Sequence, residues 1–140
     1  MSVRNVTRAA TATTLLGIGG LHVAWGRGAT FPFASRDRLN DVVIGRDATP
    51  SPAACYGVAG LVTAAAGLVA GLPTRRSGLR RAGVGTVAVT LGTRAALGFA
   101  GKTELVSPGS LSPTFLRMDR RVLAPLCAAL AIGAAASLRS

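Results

Sequence analysis

The chain has 140 residues, enough for one domain, and its composition is unusually apolar for that length. Hydrophobic residues make up 49% of the chain and charged residues 15%, whereas soluble domains carry about 25% charged residues. The formal net charge is +11, but aromatic residues make up only 4%, and the arginines stand between apolar blocks. This pattern argues against a nucleic-acid partner, which needs basic and aromatic residues on one surface. We therefore expect a membrane protein.

The two cysteines and the single histidine show no cofactor or metal pattern. Cys55 and Cys127 form no CxxC pair, and His22 lies far from both in the sequence. Zinc sites and thioredoxin-like redox centres depend on such spacings. We expect no metal and no cofactor, and we expect both cysteines to pack as small apolar residues.

Four apolar blocks are long enough to cross a bilayer as helices, which takes about 20 residues. The sequence predicts helices over residues 9–26, 53–72, 82–100 and 113–138. The third contains one charge, Arg94. The fourth has a typical helix start at Ser112-Pro113, and Pro125 favours a bend further along. The predicted fold class is all-α: one integral membrane domain, a bundle of four transmembrane helices with both termini on the same side.

The first block allows a second interpretation. Arg4 and Arg8 before a modest apolar run, with a small-x-small site at 24–26, are also consistent with a signal peptide. His22 and Trp25 at the end of the run fit a retained helix better, because Trp is favoured at membrane interfaces. The sequence leaves both interpretations open.

The charge distribution favours one orientation. One end of the predicted bundle carries seven positive residues and no acidic residue, and four of the seven lie in the short connection 73–81. The other end carries eight positive residues together with all five acidic ones. The positive counts are nearly equal, but positive-inside bias is strongest in short loops. We expect a multi-pass protein of the cell membrane with cytoplasmic termini.

The candidate functional residues gather at the other, non-cytoplasmic end of the predicted bundle. The catalytic candidates are His22, Glu104 and Asp119 as acids or bases, and Arg94 as an electrostatic clamp. A charge inside a span costs about 2.5–3.5 kcal/mol on insertion scales, so Arg94 must face the bundle, a wet cavity or the interface. The substrate-binding candidates are Trp25, Tyr56, Arg120 and Arg121.

Each candidate also has a purely structural interpretation. Arg94 can pair with Glu104 or Asp119 to hold helices together. Asp119 can act as a helix N-cap, and His22 can be a hydrogen-bonded packing residue. The arginines after Asp119 and the two aromatic candidates can be membrane-interface residues.

Three segments resemble a bacterial family of small four-span membrane proteins, the domain-of-unknown-function family 3995. They are HVAWGRG, with His22 and Trp25, then LGTRAALGFAGK, with Arg94, and RMDRRVLAPLCAAL, with Asp119, Arg120, Arg121, Pro125, Leu126 and Cys127. The family shows His-x-x-Trp at the end of its first helix and Asp-Arg-Arg-x-x-x-Pro-Leu-Cys at the start of its last. It usually has an aromatic residue before the proline, where this chain has Ala124. The resemblance implies a four-helix membrane fold over most of the chain and brings no activity.

Two functions of different classes remain. One is a small non-redox membrane enzyme, of isomerase, cyclase or epoxide-opening type, that acts on a lipophilic substrate. The alternative is an accessory or structural membrane subunit that binds lipid or another membrane protein without catalysis. Its Gly- and Ala-rich helices would suit a homo-oligomer. An enzyme predicts His22, Arg94 and Asp119 around one pocket, whereas a non-catalytic subunit predicts that these residues bond to one another.

Overall fold

The computed structural model describes residues 2–73 and 77–139, and the regular structure within these ranges is helical. The elements in chain order are α1 (Val3–Gly26), α2 (Arg36–Leu39) with a π-helical turn (Asn40–Ile44), α3 (Pro52–Ala70), α4 (Ser77–Ala100), a 3-10 turn (Thr103–Leu105), α5 (Pro113–Met118) with a π-helical turn (Asp119–Leu123), and α6 (Ala124–Ser137). Arg75 and Arg76, which the orientation argument counts, lie outside the described residues.

The long helices α1, α3, α4 and α6 run alternately up and down. Near the start of α1, Arg8 donates a hydrogen bond to the carbonyl of Ala70 at the end of α3. Near the start of α4, Arg80 donates to the carbonyls of Leu68 in α3 and Ser137 in α6. Each bond joins the start of one helix to the end of another. We call this end of the bundle the arginine end, and the opposite end, where α3 begins, the cap end.

The bundle core is built from small and branched apolar residues. α1 packs mainly against α3, and α4 mainly against α6. The buried core consists of Ala12, Leu15, Ala66, Val69, Val84, Leu130 and Ala134. Close helix approach depends on glycine: a Cβ at Gly133 would collide with the Thr11 hydroxyl, and one at Gly19 would lie 3.0 Å from the Thr63 hydroxyl oxygen. Such contacts are typical of helices that pack through small residues.

Three helices of the described chain are long and apolar enough to cross a membrane. They are Pro52–Ala70, Ser77–Ala100 and Pro113–Ser137, and the last joins α5, the π-helical turn and α6. Only 22%, 17% and 33% of their most apolar stretches are buried within the protein, so most residues of these stretches are at least partly exposed. α1 is not among the three, although it has 24 residues, because four threonines and His22 lower its hydropathy.

The observed helix ends differ from the predicted ones where capping residues lie outside the apolar blocks. α1 begins at Val3 rather than at residue 9, because the Ser2 side chain accepts a hydrogen bond from a first-turn N–H. α3 ends at Ala70, because Gly71 adopts a left-handed conformation, with φ of +109°, that closes the helix. Gly71 therefore ends the helix.

The fourth predicted helix begins where the sequence indicates. The Ser112 side chain accepts a hydrogen bond from the backbone N–H of Phe115, so the predicted start at Ser112-Pro113 is confirmed. Near Pro125 the chain forms the π-helical turn Asp119–Leu123. Pro125 has no N–H to donate to the carbonyl four residues earlier, and the wider turn accommodates this loss.

The two long connections at the cap end fold together into one layer, which we call the cap (residues 27–51 and 101–118). Phe115 is 2% exposed, and its ring packs against Gly45, where a Cβ would lie 2.5 Å from it. The backbone N–H groups of Leu111 and Ser112 both donate to the Gly45 carbonyl. The Ser110 hydroxyl donates to the Ile44 carbonyl at 2.5 Å. The first connection therefore contains a helical segment, Arg36–Ile44, that packs against the second connection.

Candidate functional site

Arg94 and Asp119 form a buried ion pair near the cap end. Arg94 donates from Nη2 to Oδ1 at 2.6 Å and from Nη1 to Oδ2 at 3.3 Å. The Asp119 side chain is 1% exposed, and the Thr103 hydroxyl also donates to its Oδ2. Gly98 permits this approach, since a Cβ there would lie 3.2 Å from Oδ2 and 2.7 Å from the Cβ of Ala124. The pair joins α4, the 3-10 turn and the π-helical turn that precedes α6.

This pair links distant segments of the described chain. Both oxygens of Asp119 accept hydrogen bonds from protein donors, which fix the orientation of the carboxylate. An ion pair in a low-dielectric setting is costly to break, because removal of one partner leaves the other charge uncompensated. Of the two partners that the sequence allows for Arg94, Glu104 and Asp119, the structure shows the pair with Asp119.

His22 and Trp25 lie together in a different place, at the end of α1. Their ring centroids are 5.0 Å apart. The Nδ1 of His22 lies 2.9 Å from the carbonyl of Ile18, and because a carbonyl only accepts, Nδ1 carries the hydrogen. Trp25 Nε1 donates to the carbonyl of Phe31 at 2.7 Å. Both rings are thus fixed in orientation, and Nε2 of His22 is left without a protein partner among the described residues.

These two rings line a pocket between α1, α3 and the cap. Its volume is about 250 Å³. The remaining walls are mainly apolar and are formed by Leu39, Val43, Ile44, Pro50, Ala54, Cys55 and Val58. Arg36, Arg46 and Ser107 complete the lining. The pocket therefore combines an apolar surface with two arginine side chains.

The two arginines of the pocket differ in the contacts that hold their side chains. Arg46 donates from Nη1 to the carbonyl of Pro108 at 2.9 Å, which links it to the second connection of the cap. Arg36 is half-buried and has no carboxylate partner in residues 2–73 or 77–139. Two positive charges beside apolar walls favour an anionic group attached to an apolar body.

The other predicted site residues lie elsewhere. Glu104 is exposed on the 3-10 turn and forms no hydrogen bond or ion pair with the described residues. Tyr56 is 44% exposed, and its ring packs over Gly26. Arg120 and Arg121 are exposed on the π-helical turn. The four catalytic candidates are therefore not gathered around one pocket: neither Arg94, Glu104 nor Asp119 lines the pocket of His22.

Sequence reasoning missed the cap residues of the pocket. Arg36 and Arg46 were counted only as charges of the first connection. A helix signal was present: Ser35 precedes Arg36, and its side chain accepts a hydrogen bond from the N–H of Arg38. Leu39 and Val43 are four residues apart, which places both on one helical face toward the pocket.

The described ranges contain no group of three or more His, Cys, Asp or Glu residues that could hold a metal ion. What they define is an all-helical protein with three helices of membrane-spanning length, an ion-paired helix junction and an apolar pocket under a cap. The chain matches the model of the family described as "Protein of unknown function (DUF3995)" over residues 15–134, and it belongs to that family. No curated protein and no solved structure matches it.

Proposed function

We propose that this protein is a four-span membrane protein that binds an amphiphilic anion without catalysis in the pocket of His22 and Trp25. The observation that carries the proposal is the composition of that pocket: apolar walls beside Arg36 and Arg46. A guanidinium group binds carboxylate or phosphate through paired hydrogen bonds. The apolar walls suit the chain or ring system to which such a group is attached.

The fourth span of this proposal is α1. Its 24 residues extend over about 36 Å, enough to cross a bilayer. It lies antiparallel to α3 along most of its length, and Leu15 is part of the bundle core. The family match begins at Leu15 and so includes the second half of α1. This supports a retained helix rather than a signal peptide. Four crossings then place both termini on one side, which we propose to be the cytoplasmic side.

The pocket would then lie at the membrane boundary. His22 and Trp25 are in the last two turns of α1, and Ala54 and Cys55 are in the first turn of α3. Trp is favoured at the height of the lipid headgroups. An amphiphile could keep its apolar part toward the bilayer while its anionic group meets the arginines of the cap.

The binding function fits the geometry better than the enzyme hypothesis does. Acid–base catalysis at His22 would need a second proton-transfer group within hydrogen-bond reach of the same substrate. Of the predicted carboxylates, Asp119 is bonded to Arg94 and Thr103, and Glu104 does not line the pocket. The residues that do line it offer cations and apolar surface, which favour binding.

The test uses Trp25 as its reporter, because it is the only tryptophan of the chain. The full chain in a neutral detergent is titrated with dodecyl phosphate, and with dodecanol as the uncharged comparison. We expect a saturable change in Trp25 fluorescence with dodecyl phosphate alone. Arg36→Gln should weaken this binding about tenfold or more, since a hydrogen bond to a charged group contributes about 1.5–3 kcal/mol.

The matched control is Arg27→Gln, which removes the same charge from an exposed residue that does not line the pocket. It should leave the affinity unchanged. A fluorescence change of equal size with dodecanol, or an equal loss of affinity in both variants, would contradict the proposal.

A further inference from the structure

The junction between α5 and α6 carries a cluster of arginines that neither the ion pair nor the pocket uses. Arg117, Arg120 and Arg121 are exposed and have no carboxylate partner among the described residues. Asp119 stands between them in sequence, but its side chain points to Arg94 on the other side of the helix. We call these three residues the junction arginines.

Two grooves open beside the junction arginines. One, of about 490 Å³, is lined by residues that include Arg38 and Thr114, and the other, of about 460 Å³, by residues that include Gly101 and Arg120. Arg117 and Arg121 line both grooves. The first groove is thus lined by arginines of two elements, α2 and the junction, and the second by three arginines of the junction. Arginine side chains are well suited to hold a phosphate group.

The backbone at Gly101 shapes the second groove. Gly101 has φ of +69°, a conformation that side chains rarely adopt, and the Nη2 atom of Arg120 would lie 3.0 Å from a Cβ built there. The guanidinium of Arg120 thus lies against bare backbone. No residue shared with the pocket of His22 lines either groove, so the two sites are separate.

The surroundings of the cluster distinguish a lipid from a soluble anion. The junction arginines lie within the candidate span Pro113–Ser137, before its apolar part. Val122, the next residue, is 49% exposed and lines the first groove. A ligand here meets the cations of the junction and, one residue further along the chain, the apolar side chain of Val122.

We propose that the junction arginines bind the phosphate of an anionic phospholipid, whose acyl chains lie along Val122 and the outer face of α6. The proposal requires that the helix crosses the bilayer, but it does not depend on the pocket of His22. Arg117 and Arg121 are four residues apart on one helical face, where like charges destabilise a helix. A bound phosphate removes this repulsion, so the lipid should also stabilise the fold.

The test measures thermal unfolding of the full chain in a neutral maltoside detergent. Cys55 is buried and Cys127 half-buried, so a thiol-reactive dye reports unfolding. Phosphatidylglycerol should raise Tm saturably, whereas phosphatidylcholine and inorganic phosphate at the same phosphate concentration should not. Arg117→Gln/Arg121→Gln should raise the half-saturating lipid concentration about thirtyfold, at about fivefold for each arginine near a membrane surface.

The matched control is Arg4→Gln/Arg139→Gln, which removes two exposed arginines from the arginine end and should keep the lipid response. If this control loses the lipid response as much as the junction variant does, the proposal is overturned, and the lipid is attracted by the overall positive charge. An equal Tm shift with inorganic phosphate or with phosphatidylcholine also overturns it. If the double variant at the junction does not fold, Arg120→Gln is used, with bound phosphatidylglycerol counted by native mass spectrometry. Retention of wild-type lipid binding in Arg120→Gln then overturns the proposal.

Discussion

Asp119, a candidate acid in the sequence, lies at the centre of a hydrogen-bonded junction in the fold. It accepts hydrogen bonds from Arg94 and from Thr103 and is fully buried. A carboxylate with this many donors holds three chain segments in place. Its neighbours in sequence, Arg120 and Arg121, are exposed, so the same turn of helix carries one buried carboxylate and two accessible arginines.

Asp119→Asn should destabilise the protein, because it leaves the Arg94 charge uncompensated. A fully buried pair loses about 3–5 kcal/mol in such a change, and Arg94 retains 26% side-chain exposure, so we expect about 2–3 kcal/mol. The measurement is the free energy of unfolding in detergent. The double variant Arg94→Met/Asp119→Asn should recover part of the loss, since no charge remains. Additive losses in the double variant would contradict the pairing argument.

The pairing itself could be predicted from the sequence only as one of two choices. A charge within an apolar block demands a partner, and Glu104 and Asp119 both lie near the end of the same helix. What selects Asp119 is contact through Gly98, whose missing side chain admits both groups. That contact joins residues more than 20 positions apart, and residue type alone does not reveal it.

At the scale of elements, the structure differs from the sequence prediction mainly in the cap. The apolar blocks predict the long helices, because a single apolar segment in lipid can satisfy its own backbone hydrogen bonds only as a helix. The helical segment Arg36–Ile44 has no such run, and it is ordered by contacts with the second connection. Phe115 and Gly45 form one of these contacts. The pocket residues in the cap could not be predicted from the sequence for the same reason.

Asp41 makes one contact between the two parts of the cap titratable. The Ser112 hydroxyl donates to its carboxylate. Hydrogen bonds from the side chains of Ser112 and Thr114, and to a smaller extent the charge of Arg38, lower the pKa of Asp41 below its usual 3.8. A carboxylate whose pKa is lower in the folded state stabilises that state above its unfolded pKa. This contribution is lost as the pH falls through the folded pKa.

The cap should therefore loosen in acid through Asp41 and be insensitive to this group between pH 5 and pH 8. The measurement is hydrogen exchange of the peptides that cover 101–118, taken between pH 3 and pH 7 and corrected for the intrinsic exchange rate. Asp41→Asn should exchange faster than the wild type at pH 7, and the difference should shrink as the pH falls below 3.8 toward the lowered pKa of the folded state. The exposed Asp47→Asn serves as the control. A pH response that persists in Asp41→Asn would assign it to another group.

At the scale of the whole molecule, some arginines that suggest an orientation have local bonding roles. Arg8 and Arg80 donate to carbonyls in the last turn of α3. A cation at the C-terminus of a helix is favourable in any orientation, because that end carries a partial negative charge. Arg8 and Arg80 are therefore weaker evidence for the cytoplasmic side than a simple count of positive charges implies. The alternating helix directions, by contrast, require both termini to lie at the same end if α1 crosses the bilayer.

Single-cysteine labelling in intact and permeabilised bacterial cells tests this arrangement in a Cys55→Ala/Cys127→Ala background. With four crossings, the Ser2→Cys and Arg139→Cys variants should react with an impermeant maleimide only after permeabilisation, because they lie at the arginine end. Ala34→Cys and Leu105→Cys, both exposed in the cap, should react in intact cells. If Ser2→Cys reacts together with Ala34→Cys, α1 lies on the membrane surface and only three helices cross. If Ser2→Cys and Arg139→Cys react in intact cells and the two cap variants react only after permeabilisation, the four crossings are supported and the orientation is the opposite one.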